Sequence, residues 1–178
     1  MSGFIPLHLG QVKVGIAFCV IGLLFGIGLG SVFGLFEDNI KSTLNESAKS
    51  SFVSVYKSDQ AKVDKIIKKS WHYIKRAHFH STGMSTMAIV LIFILSQLPI
   101  LGKLKTVTAA FLGIGAVGYP LSWLLAGFLA PGLGSTGKAK ESVVWLAAPS
   151  IGMFSIGIII FCIVILFYAF NNKAARAF

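Results

Sequence analysis

Residues 14–36 read VGIAFCVIGLLFGIGLGSVFGLF, an apolar run that contains no Lys, Arg, Asp or Glu. A helix needs about 20 mainly apolar residues to cross the roughly 30 Å hydrocarbon core of a bilayer. This run is too long for the apolar core of a signal peptide, and no small-x-small cleavage pattern follows it. The stretch therefore predicts a retained transmembrane helix.

Three further uncharged windows follow, at about residues 81–101, 107–129 and 143–170. The 178 residues are 55% hydrophobic and only 12% charged, with a mean hydropathy of +0.80. Soluble domains carry about twice this charged fraction. The net charge of +10 lies beside apolar spans, where it acts as a topology signal, and we expect no nucleic-acid partner. We predict an all-α integral membrane protein whose four transmembrane helices form a single membrane domain over residues 1–178.

The segment 37–79, between the first two spans, is the only long polar part of the chain. Val63, Ile67, Trp71 and Ile74 recur in it at helical spacing, and Ser58–Asp59 is a suitable N-cap. We predict an extramembrane, partly amphipathic helical arm, with a helix that begins near Asp59 and runs into the second span. Its apolar side chains are too few for an independent domain, so we expect it to lean on the membrane surface or on a partner.

Four spans place both termini and the 102–106 loop on one side of the membrane. By chain order this side carries five basic residues and no acid: Lys13, Lys103, Lys105, Lys173 and Arg176. The positive-inside rule gives little weight to long segments, and we expect both termini in the cytoplasm on that ground. In a bacterial host the protein would lie in the inner membrane, with residues 37–79 and 130–142 on the periplasmic side.

Four glycines at a spacing of four mark the first span: Gly22, Gly26, Gly30 and Gly34. This spacing places all of them on one helix face, and in lipid such a face lets another backbone approach closely. The pattern therefore predicts tight helix packing. The alternative is a flat cofactor, such as a porphyrin or a lipid tail, that lies against the glycine face at Gly26 and Gly30.

Three of the four histidines, His72, His78 and His80, lie at the start of the second span. Imidazole is a common ligand of haem iron, copper and zinc, although interfacial histidines also simply anchor helices. At about 100° per residue, His78 and His80 point about 200° apart and should meet different partners. We expect His80 to face the bundle interior as the main ligand, and His78 to lie towards the arm.

The histidines leave several ligand sets open. His80 shares its helical stripe with Met84 and Met87, which could complete a copper site, although methionine at helical spacing is usually core filler. The remaining histidine, His8, precedes the first span and starts on the opposite side of the membrane. A b-type haem would therefore be held by one histidine, by histidine and methionine, or with a histidine from a neighbouring subunit.

The run His78-Phe79-His80, followed by Gly83, resembles the His-x-His start of a transmembrane helix in haem–copper oxidase-type and related small membrane proteins. The resemblance covers fewer than ten residues. It implies a haem or metal ligand at His78 or His80.

Together these features favour a membrane subunit of an electron-transfer or respiratory complex that binds b-type haem, or interacts with quinone, near the histidines. We do not expect it to be catalytic alone. One alternative is a structural accessory subunit that docks onto other membrane subunits or a second copy, and another is a small-solute channel or transporter. We also expect the first and fourth spans to pack together, with Cys19 and Cys162 at similar depth.

Overall fold

The computed structural model describes residues 9–171, and every regular element among them is helical. A 3-10 turn at Leu9–Gln11 precedes five helices: α1 (Lys13–Ser50), α2 (Gln60–Gln97), α3 (Gly102–Leu133), α4 (Thr136–Ser142) and α5 (Val144–Asn171). All except α4 are long and apolar enough to cross a membrane. The prediction of an all-α fold with four such helices is confirmed. His8, Lys173 and Arg176 lie outside the described residues.

The first two long helices extend well past their predicted spans. Each has 38 residues, or about 57 Å at 1.5 Å per residue, which exceeds the thickness of a bilayer. The backbone of α1 leaves helical geometry at Phe36, the last residue of the predicted span, with φ −133° and ψ 26°. As predicted, Asp59 caps α2, and its carboxylate accepts a hydrogen bond from the backbone N–H of Lys62 at 3.0 Å. The arm is therefore a helical hairpin.

The arm packs against the rest of this chain. Its buried side chains share a core with the C-terminal end of α3 and with α4; this core consists of Ala48, Tyr56, Val63, Ile66, Ala126, Ala130, Ala139 and Val143. The Tyr56 hydroxyl donates a hydrogen bond to the Pro131 carbonyl oxygen at 2.6 Å, and burial raises the pKa of this phenol. Helices α3 and α4 thus support the arm within this chain, and its contact with the membrane surface or a partner stays a prediction.

Helix α3 lies at the centre of the bundle and packs against α1, α2 and α5. A Cβ atom on Gly113 would lie 2.9 Å from the Cβ of Phe18 in α1, whereas one on Gly115 would lie 2.7 Å from the Cβ of Phe154 in α5. Two residues apart on a helix, these glycines point in nearly opposite directions. The prediction that the first and fourth spans pack together is wrong, because α3 separates α1 from α5.

Candidate functional site

His78 and His80 lie on opposite faces of α2, as the 100° rule predicts. The His78 ring contacts α1, where it lies in edge-on contact with the Phe33 ring at 5.9 Å between ring centroids. The His80 ring contacts α3 through Tyr119 and Trp123. The expectation that His78 lies towards the arm is therefore wrong, because this residue packs within the bundle against the glycine face of α1.

A backbone hydrogen bond fixes the orientation of the His78 ring. Its Nδ1 atom lies 2.7 Å from the carbonyl oxygen of Gly26. A carbonyl oxygen can only accept, so Nδ1 carries a proton, and in the neutral imidazole Nε2 then keeps its lone pair. Histidines that bind metals typically have this arrangement, with one nitrogen donating to a carbonyl and the other free for the ion. His78 is half-buried, at the edge between α1 and α2.

The glycine face of α1 is filled by α2. A Cβ on Gly26 would lie 2.6 Å from the Cγ2 of Thr82, and one on Gly30 would lie 2.8 Å from the Cε1 of His78. The Ser81 hydroxyl also donates to the carbonyl oxygen of Gly22 at 2.6 Å. The predicted tight packing of this face is confirmed at Gly22, Gly26 and Gly30, whereas a Cβ on Gly34 would meet no atom within 4 Å. Contacts with α2 occupy the positions at Gly26 and Gly30 where a flat cofactor could have lain.

His80 belongs to an aromatic and cationic cluster between α2 and α3. Its ring lies 5.3 Å from the Tyr119 ring and 6.2 Å from the Trp123 ring, with an interplanar angle of 30° to the latter. Trp123 also meets Tyr73 at 4.8 Å between centroids, and the Arg76 guanidinium lies 4.9 Å from its ring centroid. The indole N–H of Trp123 is buried and has no hydrogen-bond partner within residues 9–171.

Arg76 is the member of this cluster that sequence reasoning missed. Its position four residues before His80 places both on one helix stripe, and Tyr73 lies one turn further back. That spacing could have indicated the cluster, but its partner Trp123 lies on another helix.

The other proposed ligands do not converge on one point. His72 is exposed on the arm. Met84 is 8% exposed within the core of the bundle, whereas Met87 is 43% exposed on its surface. No group of three His, Cys, Asp or Glu residues that could hold a metal ion occurs within the described part of the chain.

Comparison of the chain with protein-family models, with curated proteins and with solved structures finds no match.

Proposed function

We propose that the chain is a membrane subunit of an electron-transfer complex, in which the Nε2 atom of His78 would bind the iron of a b-type haem at the edge between α1 and α2. The observation that carries this proposal is the hydrogen bond between Nδ1 of His78 and the Gly26 carbonyl oxygen. It holds the ring in the tautomer that a metal requires and anchors it to a neighbouring helix. A bound b-type haem would supply one-electron redox chemistry between Fe(III) and Fe(II).

The position of His78 favours a haem that is held jointly by this chain and a neighbouring subunit. Little of α1 is buried inside this chain, and Leu24 and Ile27 on its outer surface are 62% and 53% exposed. Next to His78, the ring of Phe79 is 67% exposed. A second residue to hold the haem would come from a helix packed against this edge, either of another subunit or of a second copy.

The test is the reduced-minus-oxidised absorption spectrum of the full chain, purified with any subunits that accompany it. Wild type should show a haem Soret band and an α band. The His78→Asn variant keeps a side-chain N–H that can bond the Gly26 carbonyl but cannot ligate haem, so these bands should disappear while the fold persists. The His72→Ala variant, changed at an exposed position on the same helix, should keep them.

Two results would overturn this assignment. A colourless wild-type protein in its native assembly would exclude the haem. Normal haem content in His78→Asn, with loss in His80→Ala, would move the ligand to the face of α2 that contacts α3.

A structural accessory subunit is the second candidate. The observation that favours it is the open surface of α1 at Gly28 and Gly34, where an added Cβ would meet no atom within 4 Å. Helices of another subunit could pack closely at these glycines. A colourless chain that still co-purifies with larger membrane subunits would select this function.

We propose that the arm lies in the cytoplasm, opposite to the orientation expected from segment length. The hairpin has only 43 residues and is shorter than the roughly 60-residue limit within which basic residues count towards topology. By chain order, eleven of the sixteen Lys and Arg residues belong to the arm side: Lys41, Lys49, Lys57, Lys62, Lys65, Lys68, Lys69, Lys75, Arg76, Lys138 and Lys140. In a bacterial host this places the protein in the inner membrane with its termini in the periplasm.

A further inference from the structure

One outward stripe of α2 changes from basic to apolar within two turns. His72, Lys75, Arg76 and Phe79 follow each other at i, i+3, i+4 and i+7, which is the spacing of a single helix face. These four residues line a groove of about 340 Å³. Phe79 is 67% exposed and lies two residues before the second predicted span. The groove therefore lies at the boundary between the arm and the membrane.

The two charged residues of this groove, Lys75 and Arg76, are both cations. No Asp or Glu occurs in the sequence between Lys65 and Lys140, so α3 and the part of α2 that follows Asp64 bring no acid to it. The only ion pair within the described residues joins Lys41 and Glu37 on α1. Lys75 and Arg76 thus remain available to an anion that approaches from outside the bundle.

Aromatic rings hold both cations in place. The Nζ atom of Lys75 lies 5.8 Å from the centroid of the Trp71 ring, and the Arg76 guanidinium lies 4.9 Å from that of Trp123. Cation–π contacts of this kind restrict a long side chain without neutralising its charge. Because the rings already order the two side chains, the binding of an anion costs less side-chain entropy than it would with two free cations.

We propose that this groove binds the anionic headgroup of a phospholipid. Lys75 and Arg76 contact the phosphate, and His72 lies one turn further from the membrane. Phe79 lies beside the first part of an acyl chain. One turn further into the membrane, Gly83 is exposed, and a Cβ there would meet no atom within 4 Å. The acyl chain can therefore continue along α2. This apolar continuation favours a lipid over a phosphate from solution.

The test uses the tryptophans beneath the two cations as reporters. The full chain carries Trp145→Phe, which removes the only other tryptophan, and is placed in phosphatidylcholine nanodiscs. Phosphatidylglycerol with brominated acyl chains is then added at increasing mole fraction, and quenching of Trp71 and Trp123 is measured. We expect saturable quenching that brominated phosphatidylcholine does not reproduce, and that inorganic phosphate does not prevent.

The variants separate a defined site from general charge attraction. Lys75→Gln with Arg76→Gln should weaken phosphatidylglycerol binding about tenfold or more, because each basic residue near a membrane contributes about a factor of five. The control combines Lys65→Gln with Lys69→Gln, which removes the same charge from the same stripe but further from the membrane. This control should change phosphatidylglycerol binding less than twofold. Equal loss in both double variants, equal quenching by the two lipids, or competition by inorganic phosphate would each overturn the proposal.

Discussion

At the scale of single residues, the 100° rotation per residue predicts that His78 and His80 have different partners. It does not predict which helix each one meets, because this depends on where α1 and α3 lie around α2. The hydrogen bond that orients His78 comes from the backbone of Gly26. A backbone carbonyl is present at every position of the chain, so no residue type in the sequence marks this acceptor.

Substitution of the α1 glycines tests how closely α2 packs against this helix. In Gly26→Leu, the new Cβ would lie 2.6 Å from the Cγ2 of Thr82 and 2.9 Å from its backbone nitrogen, so α2 must move away. We expect a loss of about 1–3 kcal/mol in the stability of the bundle, as is typical of overpacking. Thermal unfolding in detergent micelles measures this loss.

Gly28→Leu is the matched control, because a Cβ at Gly28 meets no atom within 4 Å. Its melting temperature should stay close to that of wild type. If both variants melted at the same reduced temperature, contact of the new side chains with detergent would account for the loss, and the α1–α2 contact would not.

At the scale of elements, the sequence predicts the start of α2 at Asp59 because a carboxylate cap is a local feature. The continuation of α1 beyond Phe36 could not be predicted in the same way. Residues 37–50 are polar, and their few apolar side chains, such as Leu44 and Ala48, become buried only when the arm packs. Helix length there depends on tertiary contacts that lie far away in the chain.

The packing of the arm against α3 can be tested at Tyr56. Replacing it with Phe removes the hydroxyl that bonds the Pro131 carbonyl oxygen, and should lower the stability of the arm by about 1 kcal/mol. Burial raises the phenol pKa above its ordinary value near 10, so the folded arm favours the neutral form. This contribution is fully present below pH 10 and is lost as the pH rises through the raised pKa.

Thermal unfolding of wild type and Tyr56→Phe, followed by circular dichroism at pH 8 and pH 11, tests both effects. Lysines also titrate in this range, but they are the same in the two proteins, so the difference between the curves reports on Tyr56. Wild type should be the more stable at pH 8, and the gap should narrow at pH 11. A gap that widened with pH would mean that the folded arm stabilises the phenolate.

At the scale of the whole molecule, four apolar windows predict the number of long helices but not their arrangement. Direct packing of the first and fourth spans is a natural expectation for a short up-and-down bundle. The small faces of α3 instead place α1 and α5 on opposite sides of it. Gly113 and Gly115, two residues apart, indicate two opposite faces of α3 that allow close packing. Their spacing does not predict which helix packs against each face.

The arrangement also determines what a test of membrane orientation must show. The arm and α4 project from one side of the bundle, while the α2–α3 turn lies on the other, so Lys140 and Lys103 should lie in different compartments. Both side chains are exposed.

With Cys19 and Cys162 replaced by Ala, single cysteines at these positions can be labelled by a membrane-impermeant maleimide. Because basic residues are concentrated on the arm side, Lys103→Cys should react in intact bacterial cells and Lys140→Cys only after lysis. The reverse result would place the arm in the periplasm, and labelling of both positions in intact cells would contradict the four-span topology itself.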